Sequence, residues 1–118
     1  MARLRQSSRF QQIRTEGRWR THRLAAIGVL ANGLDCSRCG FSVGKRIGNA
    51  VARNCVRRRL REAVRLQWES VAPGWDIVFA AREPVCTAAY ADIAAAVHTL
   101  LERAAVVRSV EPKGTPVP

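Results

Sequence analysis

The chain has 118 residues, 47% of them hydrophobic, which suits one domain with a modest core. Twenty Lys and Arg against nine Asp and Glu give a net charge of +11 and a pI near 11.3, an imbalance that favours a nucleic-acid partner. A membrane-surface protein is disfavoured, because the chain has neither a long amphipathic helix with bulky apolar residues nor a lipidation motif, and no run approaches the ~18 apolar residues of a membrane span.

The N-terminal sequence MARLRQSSRF is basic but is not followed by the apolar stretch of a secretory signal. We therefore expect a cytoplasmic protein, in which cysteines stay reduced, so all four cysteines are predicted to be free thiols. Cys36 and Cys39 have the C-x-x-C spacing of a metal knuckle or a redox pair. A tetrahedral zinc site needs four converging ligands, and Cys55 and Cys86 form no second pair, so no metal site is predicted.

The first third of the chain predicts a short helix and then strands. Ser7 or Ser8 is expected to cap a helix over about 9–15 that ends at Gly17. The segment 18–30 is extended and predicts one strand or two. Turn residues fill 31–35, and alternation resumes over 40–43, which predicts a hairpin between the two segments.

The middle of the chain predicts a helix with a core face beside a charged face. Asn49 is expected to cap it, and the helix should run over about 50–69. At ~100° per residue, one arc carries Ala52, Val56, Leu60, Ala63, Val64 and Gln67. The adjoining arc carries Arg53, Asn54, Arg57, Arg58, Arg61 and Arg65.

The remaining segments predict a buried strand, a last helix and a tail. The strand covers 75–81, and Thr87 is expected to cap a helix ending near Ala105. The inward stripe of this helix is predicted to be Ile93, Val97, Leu100, Leu101 and Ala104. Prolines interrupt any pattern over 108–118, so we expect a domain of residues 1–107 and a disordered tail. The order of elements predicts an α+β domain, one sheet backed by helices.

The basic helix is the strongest functional signal. Eight Lys or Arg and one acid, Glu62, lie between Val43 and Arg65, so this stretch carries +7 of the net charge. A solvated helix face would pair such cations with acids at i±4, and those acids are missing, so we predict contact with RNA phosphates. A DNA-recognition helix is less favoured, because Asn54 is almost the only polar uncharged residue that could read base edges. His22 and His98 are isolated, and no catalytic motif is present.

The segment from Ser42 to Glu62 combines a basic pair, the sequence G-N-A-V-x-R-N and an arginine-rich helix. The residues of this pattern are Ser42, Lys45, Arg46, Gly48, Asn49, Ala50, Val51, Arg53, Asn54, Arg57, Arg58 and Arg61. The pattern resembles that of the protein subunit of bacterial ribonuclease P, in which a strand leads through the basic pair into the helix. Further agreement, from the opening RLRQSSRFQQI to the final helix, extends the resemblance over residues 3 to about 105.

The resemblance implies an α-β-β-β-α-β-α sandwich with a central mixed sheet and the basic helix in a left-handed crossover connection. It implies a protein that assists a catalytic RNA in removing the 5′ leader from precursor tRNA, with the chemistry in the RNA. Mg²⁺ is expected to come with that RNA, and neither a membrane nor an obligate protein partner is expected. The alternative is a structural RNA-binding protein, such as a small ribosomal protein, without a role in cleavage.

The resemblance also implies two sets of contact residues. Those for catalytic RNA are Lys45, Arg46, Asn49, Arg53, Asn54, Arg57, Arg58, Arg61 and Arg65, and those of a leader-binding cleft between sheet and first helix are Phe10, Arg14, His22 and Arg23. Two positions depart from the family pattern: Cys55 replaces the third basic residue of an R-N-R triplet, and Arg59 is basic where the family is often apolar.

Overall fold

A computed structural model describes residues 1–108 of the protein. The helices are α1 (Ser7–Glu16), α2 (Ala50–Arg65) and α3 (Tyr90–Arg103), and the strands are β1 (Ala2–Arg3), β2 (Arg18–Thr21), β3 (Ala25–Ala31), β4 (Arg38–Ser42) and β5 (Trp75–Ala81). Short 3-10 helices lie at Lys45–Ile47, Trp68–Ser70 and Glu83–Thr87. The tail predicted to be disordered lies outside the described residues apart from Arg108. None of the described helices is long and apolar enough to cross a membrane.

The five strands form one mixed sheet in the order β1-β4-β5-β3-β2. The β1/β4 and β4/β5 pairs are parallel, whereas β3/β5 and β2/β3 are antiparallel. Because β4 and β5 are parallel neighbours, the chain between them must cross over the sheet, and α2 lies in that crossover. The predicted α+β sandwich with a mixed sheet and a crossover basic helix is confirmed.

The predicted hairpin between 18–30 and 40–43 is wrong. The hairpin instead lies within the first segment, where residues 22–24 join β2 to β3. The strand β5 separates β3 from β4, because its apolar run is buried on both faces and occupies the centre of the sheet. The connection 32–37 therefore crosses the end of β5, a span of two strand spacings or about 10 Å, and its Asn32 N–H donates to the Gly74 carbonyl at 2.9 Å.

Each face of the sheet packs against a different helical layer. In β5, Ile77 and Phe79 belong to the large core under α2 and α3, whereas Val78 belongs to a small cluster with Leu4 and Ile13. This alternation follows from the pleat, which turns successive side chains to opposite faces. The helix α1 thus covers one face with few fully buried apolar side chains, and α2 and α3 cover the other.

The helix ends correct several predictions. The residue before α1 is Gln6, so Ser7 and Ser8 lie inside the first turn and neither caps the helix. The residue before α3 is Ala89, and Thr87 ends a 3-10 helix that begins at Glu83 and has Pro84 as its second residue. The helix α2 ends at Arg65, four residues before the predicted end at Glu69, because residues 68–70 form a 3-10 turn in which the half-buried Trp68 packs on the core.

Candidate nucleic-acid interface

A helix cap at Asn49 and a turn at Gly48 fix the start of α2 and so the direction of its basic face. The Asn49 Oδ1 atom accepts a hydrogen bond from the Ala52 N–H at 2.9 Å, which confirms the predicted cap. Gly48 has a φ of +142°, a conformation that residues with a side chain rarely adopt, and it turns the chain from the 3-10 helix into α2. The buried face of α2 consists of Val56, Leu60, Ala63 and Val64, as the helical phase predicts.

The cations of this region have few acidic partners. Within residues 1–108, the sole salt bridge of α2 joins Glu62 to Arg65 at 2.6 Å, and the hydrogen bond from Arg65 holds the pKa of Glu62 below its usual range. The charge of Arg65 is therefore partly balanced inside the protein. In the part of the chain that the structure describes, no acid lies within salt-bridge distance of six cations. We call these six the basic surface: Lys45, Arg46, Arg53, Arg57, Arg58 and Arg61.

Arg59, the extra basic residue of the motif, has an internal partner. Its guanidinium donates to the carbonyl oxygen of Ala88 at 2.7 Å and so ties α2 to the segment before α3. The residue is half-buried, unlike the exposed Arg58 beside it. Arg59 therefore contributes to the packing of α2 against that segment.

Arg61 is held beside an aromatic ring. Its guanidinium carbon lies 6.0 Å from the centre of the Phe41 ring, and that ring stacks on Phe79. Its Nε atom is buried and has no hydrogen-bond partner among the residues that the structure covers. Burial, followed by the charges of Arg3 and Arg57, lowers the pKa of Arg61. Three arginines thus share one site that an anion would neutralise.

A cleft opens beside this arginine cluster, between α1, the N-terminal segment and β4. It consists of two adjoining cavities of about 230 and 340 Å³, and the Phe10 ring borders both. The first is lined by Arg3, Leu4, Arg5, Phe10, Cys39, Gly40, Phe41 and Arg57, and the second by Arg5, Ser7, Phe10, Gln11 and Arg14. An aromatic ring therefore lies among four arginines in a groove that reaches α2.

Gly40 lets Phe10 lie on the sheet. A Cβ atom at position 40 would stand 2.3 Å from the Phe10 Cζ atom and 2.9 Å from the Leu4 carbonyl oxygen, so a side chain there would displace the ring. Gly40, Arg3 and Arg5 were not among the site residues predicted from the sequence. A glycine inside a strand is the signal that could have found the site, since it often marks a close approach of another group.

The predicted cleft residues divide into two groups. Phe10 and Arg14 line the cleft, whereas His22 and Arg23 lie in the β2–β3 turn and border neither of its cavities. The His22 Nδ1 atom accepts a hydrogen bond from the Leu24 N–H at 3.0 Å, which stabilises that turn. The structure thus gives Phe10 and Arg14 a common site that His22 and Arg23 do not share.

Lys45 and Arg46 lie beside a separate cavity at the carboxyl ends of the parallel strands β4 and β5. This cavity of about 320 Å³ is lined by Gly44, Lys45, Arg46, Ile47, Ala81, Arg82, Glu83 and Pro84. Arg82 adds a cation that the sequence reasoning did not include among the contact residues. Cations beyond the basic surface therefore continue to the end of β5, where Arg82 borders this cavity.

The cysteines are free, as predicted. Cys36 is exposed in the loop before β4, whereas Cys39 is buried in the core, and burial raises the pKa of the Cys39 thiol. Within residues 1–108, no three His, Cys, Asp or Glu side chains come together as a metal site would require.

A mixed-sheet domain whose crossover helix carries unpaired arginines, next to an arginine-lined cleft with an aromatic ring, has the features of an RNA-binding protein. The comparisons give the particular family. The family model for ribonuclease P matches residues 1–105. A ribonuclease P protein component of Roseiflexus castenholzii is 46% identical over 107 residues, which are 90% of this chain and 88% of that protein.

Two solved structures share the fold. The RNase P protein of Staphylococcus aureus has a TM-score of 0.83 at 28% identity, covering 92% of this chain and 99% of that chain. The RNase P protein of Thermotoga maritima has a TM-score of 0.79 at 28% identity, with coverage of 87% and 97%. This chain belongs to the ribonuclease P protein family and is an RNA-binding subunit of ribonuclease P, a ribonucleoprotein of tRNA processing.

Proposed function

We propose that the basic surface binds the catalytic RNA of ribonuclease P, while the cleft binds the single-stranded 5′ leader of precursor tRNA. The observation that carries the proposal is the set of six cations without an acidic partner in the described part of the chain, continuous with an arginine-lined cleft that holds Phe10. Unpaired arginines repel one another unless an anion lies between them, and RNA supplies phosphates at regular spacing.

The two surfaces suit different forms of RNA. The arginines of α2 project from a rigid helix and would contact phosphates, which fixes position and shape but reads no sequence. The cleft offers a ring on which an unpaired base can stack, with arginines on either side for the backbone. A duplex cannot offer its bases in this way, so the cleft favours a single strand such as the leader.

The chemistry is assigned to the RNA. The sequence carries no catalytic motif, and we propose that the RNA also holds the Mg²⁺ ions of the reaction, since its phosphates suit that hard cation. The protein would then act by orienting the leader and neutralising phosphate charge. The proposed place of action is the cytoplasm.

Reconstitution with a bacterial ribonuclease P RNA at low magnesium concentration tests the first part. We expect the wild-type protein to restore cleavage of precursor tRNA, and Arg53→Ala combined with Arg57→Ala to lose that effect. The matched control is Arg20→Ala combined with Arg103→Ala, which removes the same charge from exposed residues of β2 and α3. Equal activity of both double variants would contradict the proposal. Binding of the RNA without any effect on cleavage would favour the structural alternative.

Binding of precursor and mature tRNA to the reconstituted enzyme tests the second part. Phe10→Ala is expected to weaken binding of precursor tRNA, which has a leader, and to leave mature tRNA unaffected. Phe10→Leu is the matched variant, because it keeps an apolar side chain over Gly40 but removes the aromatic face. Equal losses for both substrates would mean that Phe10 has a structural role alone.

A further inference from the structure

The carboxylate of Asp76 connects α1 to the sheet. Asp76 is fully buried on the α1 side of β5, and it accepts hydrogen bonds from α1, from β4 and from the loop before β4. The Arg9 Nε atom of α1 donates at 2.7 Å, and the Arg38 Nε and Nη2 atoms of β4 donate at 2.8 and 2.6 Å. Asn32 Nδ2 completes the shell at 2.9 Å.

The Arg9 side chain makes contacts with all three of its guanidinium nitrogens. Besides the Nε bond to Asp76, Nη2 donates to the Ala31 carbonyl at 3.0 Å and Nη1 donates to Gln12 Oε1 at 2.8 Å. The side chain is 16% exposed. One residue of α1 is therefore joined to β5, to the end of β3 and to the next turn of its own helix.

We call the Arg9–Asp76 ion pair the tether, and it adds to a small apolar contact. The one fully buried side chain of α1 is Ile13, in a cluster with the buried Leu4 and Val78 and the half-buried Phe10, Trp19 and Leu30. A charge-assisted bond to a buried carboxylate contributes more than a bond at the surface, since water screens it less. The Arg9–Asp76 pair is thus a second attachment of α1 to the sheet, beside the apolar cluster.

The residue after Arg9 is Phe10, the ring shared by both cavities of the cleft. We infer that the Arg9–Asp76 ion pair is a positioning device for leader binding: it holds α1 at the distance from β4 that places the Phe10 ring over Gly40. This inference rests on the proposed leader-binding function of the cleft. Arg9 and Asp76 line neither cavity, so their effect on the leader is transmitted through α1.

The test compares Arg9→Gln with Arg38→Gln in the reconstituted enzyme. Both variants remove one arginine from the same carboxylate, but Arg9 is on α1 and Arg38 is on β4. Arg9→Gln should weaken binding of precursor tRNA by about three- to tenfold. This is the expected cost when the Phe10 side chain is no longer held in place and must be ordered on binding. Mature tRNA should be unaffected, and Arg38→Gln should leave the ratio of the two affinities unchanged.

Two further measurements separate positioning from direct contact. Asp76→Asn keeps Arg9 but removes the carboxylate that it pairs with. If Arg9 acts through α1, this variant should lower the affinity for precursor tRNA. An unchanged or increased affinity would show that Arg9 is a direct phosphate contact. In Arg9→Gln and in Asp76→Asn, hydrogen exchange of the α1 amides should be faster than in wild type, and exchange of the α3 amides should be unchanged.

The outcomes also separate this inference from the proposed function. If Phe10→Ala weakens precursor binding selectively and Arg9→Gln does not, the cleft binds the leader but the tether does not position it, and the inference is overturned. It is also overturned if exchange in α1 does not change. If Phe10→Ala has no selective effect, the leader-binding function fails, and the role of the tether in leader binding fails with it.

Discussion

Cys55 interrupts the basic surface of α2 at the point where the family motif has a third basic residue. The side chain is half-buried, with the exposed Asn54 before it and the buried Val56 after it in the helix. At such a position the aliphatic part of an arginine side chain can lie along the helix while its guanidinium reaches solvent. We expect Cys55→Arg to bind the catalytic RNA more tightly than wild type. One added phosphate contact should steepen the salt dependence of log K by about 0.7 to 0.9.

The control for this substitution is Cys55→Ser, which changes the thiol without adding charge. It should match the wild-type affinity and slope. Titration of labelled RNA at several salt concentrations measures both quantities. A Cys55→Arg slope equal to that of Cys55→Ser would show that this position does not face the RNA.

The carboxyl of Asp76 is expected to make the free energy of unfolding depend on pH in the acid range. Burial alone would raise the pKa of its carboxyl, but hydrogen bonds from Arg38, Asn32 and Arg9, together with the charge of Arg38, outweigh burial and hold the pKa below its usual value. As the pH falls, the unfolded carboxyl takes up a proton first, near pH 3.9, so acid favours the unfolded chain. The stabilisation is complete above that pH and is lost below it.

Urea unfolding from pH 7 to pH 2.5 measures this effect. The difference in unfolding free energy between wild type and Asp76→Asn should be constant above about pH 5 and should shrink below pH 4. A difference that stayed constant over the whole range would mean that the carboxyl has an ordinary pKa in the folded protein.

The sequence predicts the feature at Cys55 but not the one at Asp76. The missing basic residue at position 55 was visible in the sequence because the motif has fixed spacing. The Asp76 network was not, since its donors come from positions 9, 32 and 38, and nothing local marks them as neighbours. Gly40 and Phe10, thirty residues apart, meet for the same reason: the fold brings α1 onto β4.

The helix α2 depends on its cap for the presentation of its arginines. Asn49→Ala removes the acceptor of the Ala52 N–H and should lower the free energy of unfolding by about 1 kcal/mol. Asn49→Ser supplies another oxygen and should recover most of the loss. Chemical denaturation of the three proteins measures this, and equal stability of all three would contradict a capping role.

Asn49 is also a predicted RNA contact, and the same variants separate the two roles. A serine that restores stability but not RNA affinity would indicate that the amide itself reaches the RNA. Recovery of both would indicate that Asn49 acts through the helix start.

Helix phase and strand composition predicted the elements better than their pairing. The core arc of α2, the apolar stripe of α3 and the whole of β5 were evident from periodicity. The position of β5 between β3 and β4 was not, because sequence order favours pairing of neighbours and the deciding factor is burial of β5 on both faces. The predicted serine cap of α1 and the predicted threonine cap of α3 were wrong, because Gln6 and Ala89 occupy the cap positions.

At the level of the whole molecule, charge and layers are arranged together. The sheet separates a large core under α2 and α3 from the small cluster under α1, and the cleft opens at the border of α1, β4 and α2. The basic surface lies next to that border, so one RNA-bound face can carry both proposed contacts. The excess charge of +11 is concentrated where the sequence motif predicted it, and the arginines of the N-terminal segment extend it into the cleft.

The salt dependence of binding to the catalytic RNA tests whether α2 is the RNA-binding element. Arg53→Ala combined with Arg57→Ala removes two phosphate contacts, so the slope of log K against log salt concentration should fall by about 1.4 to 1.8. The charge-matched variant Arg20→Ala with Arg103→Ala should keep the wild-type slope. The same slope for wild type and the α2 variant, or equal decreases for both double variants, would contradict the claim that α2 is the RNA-binding element.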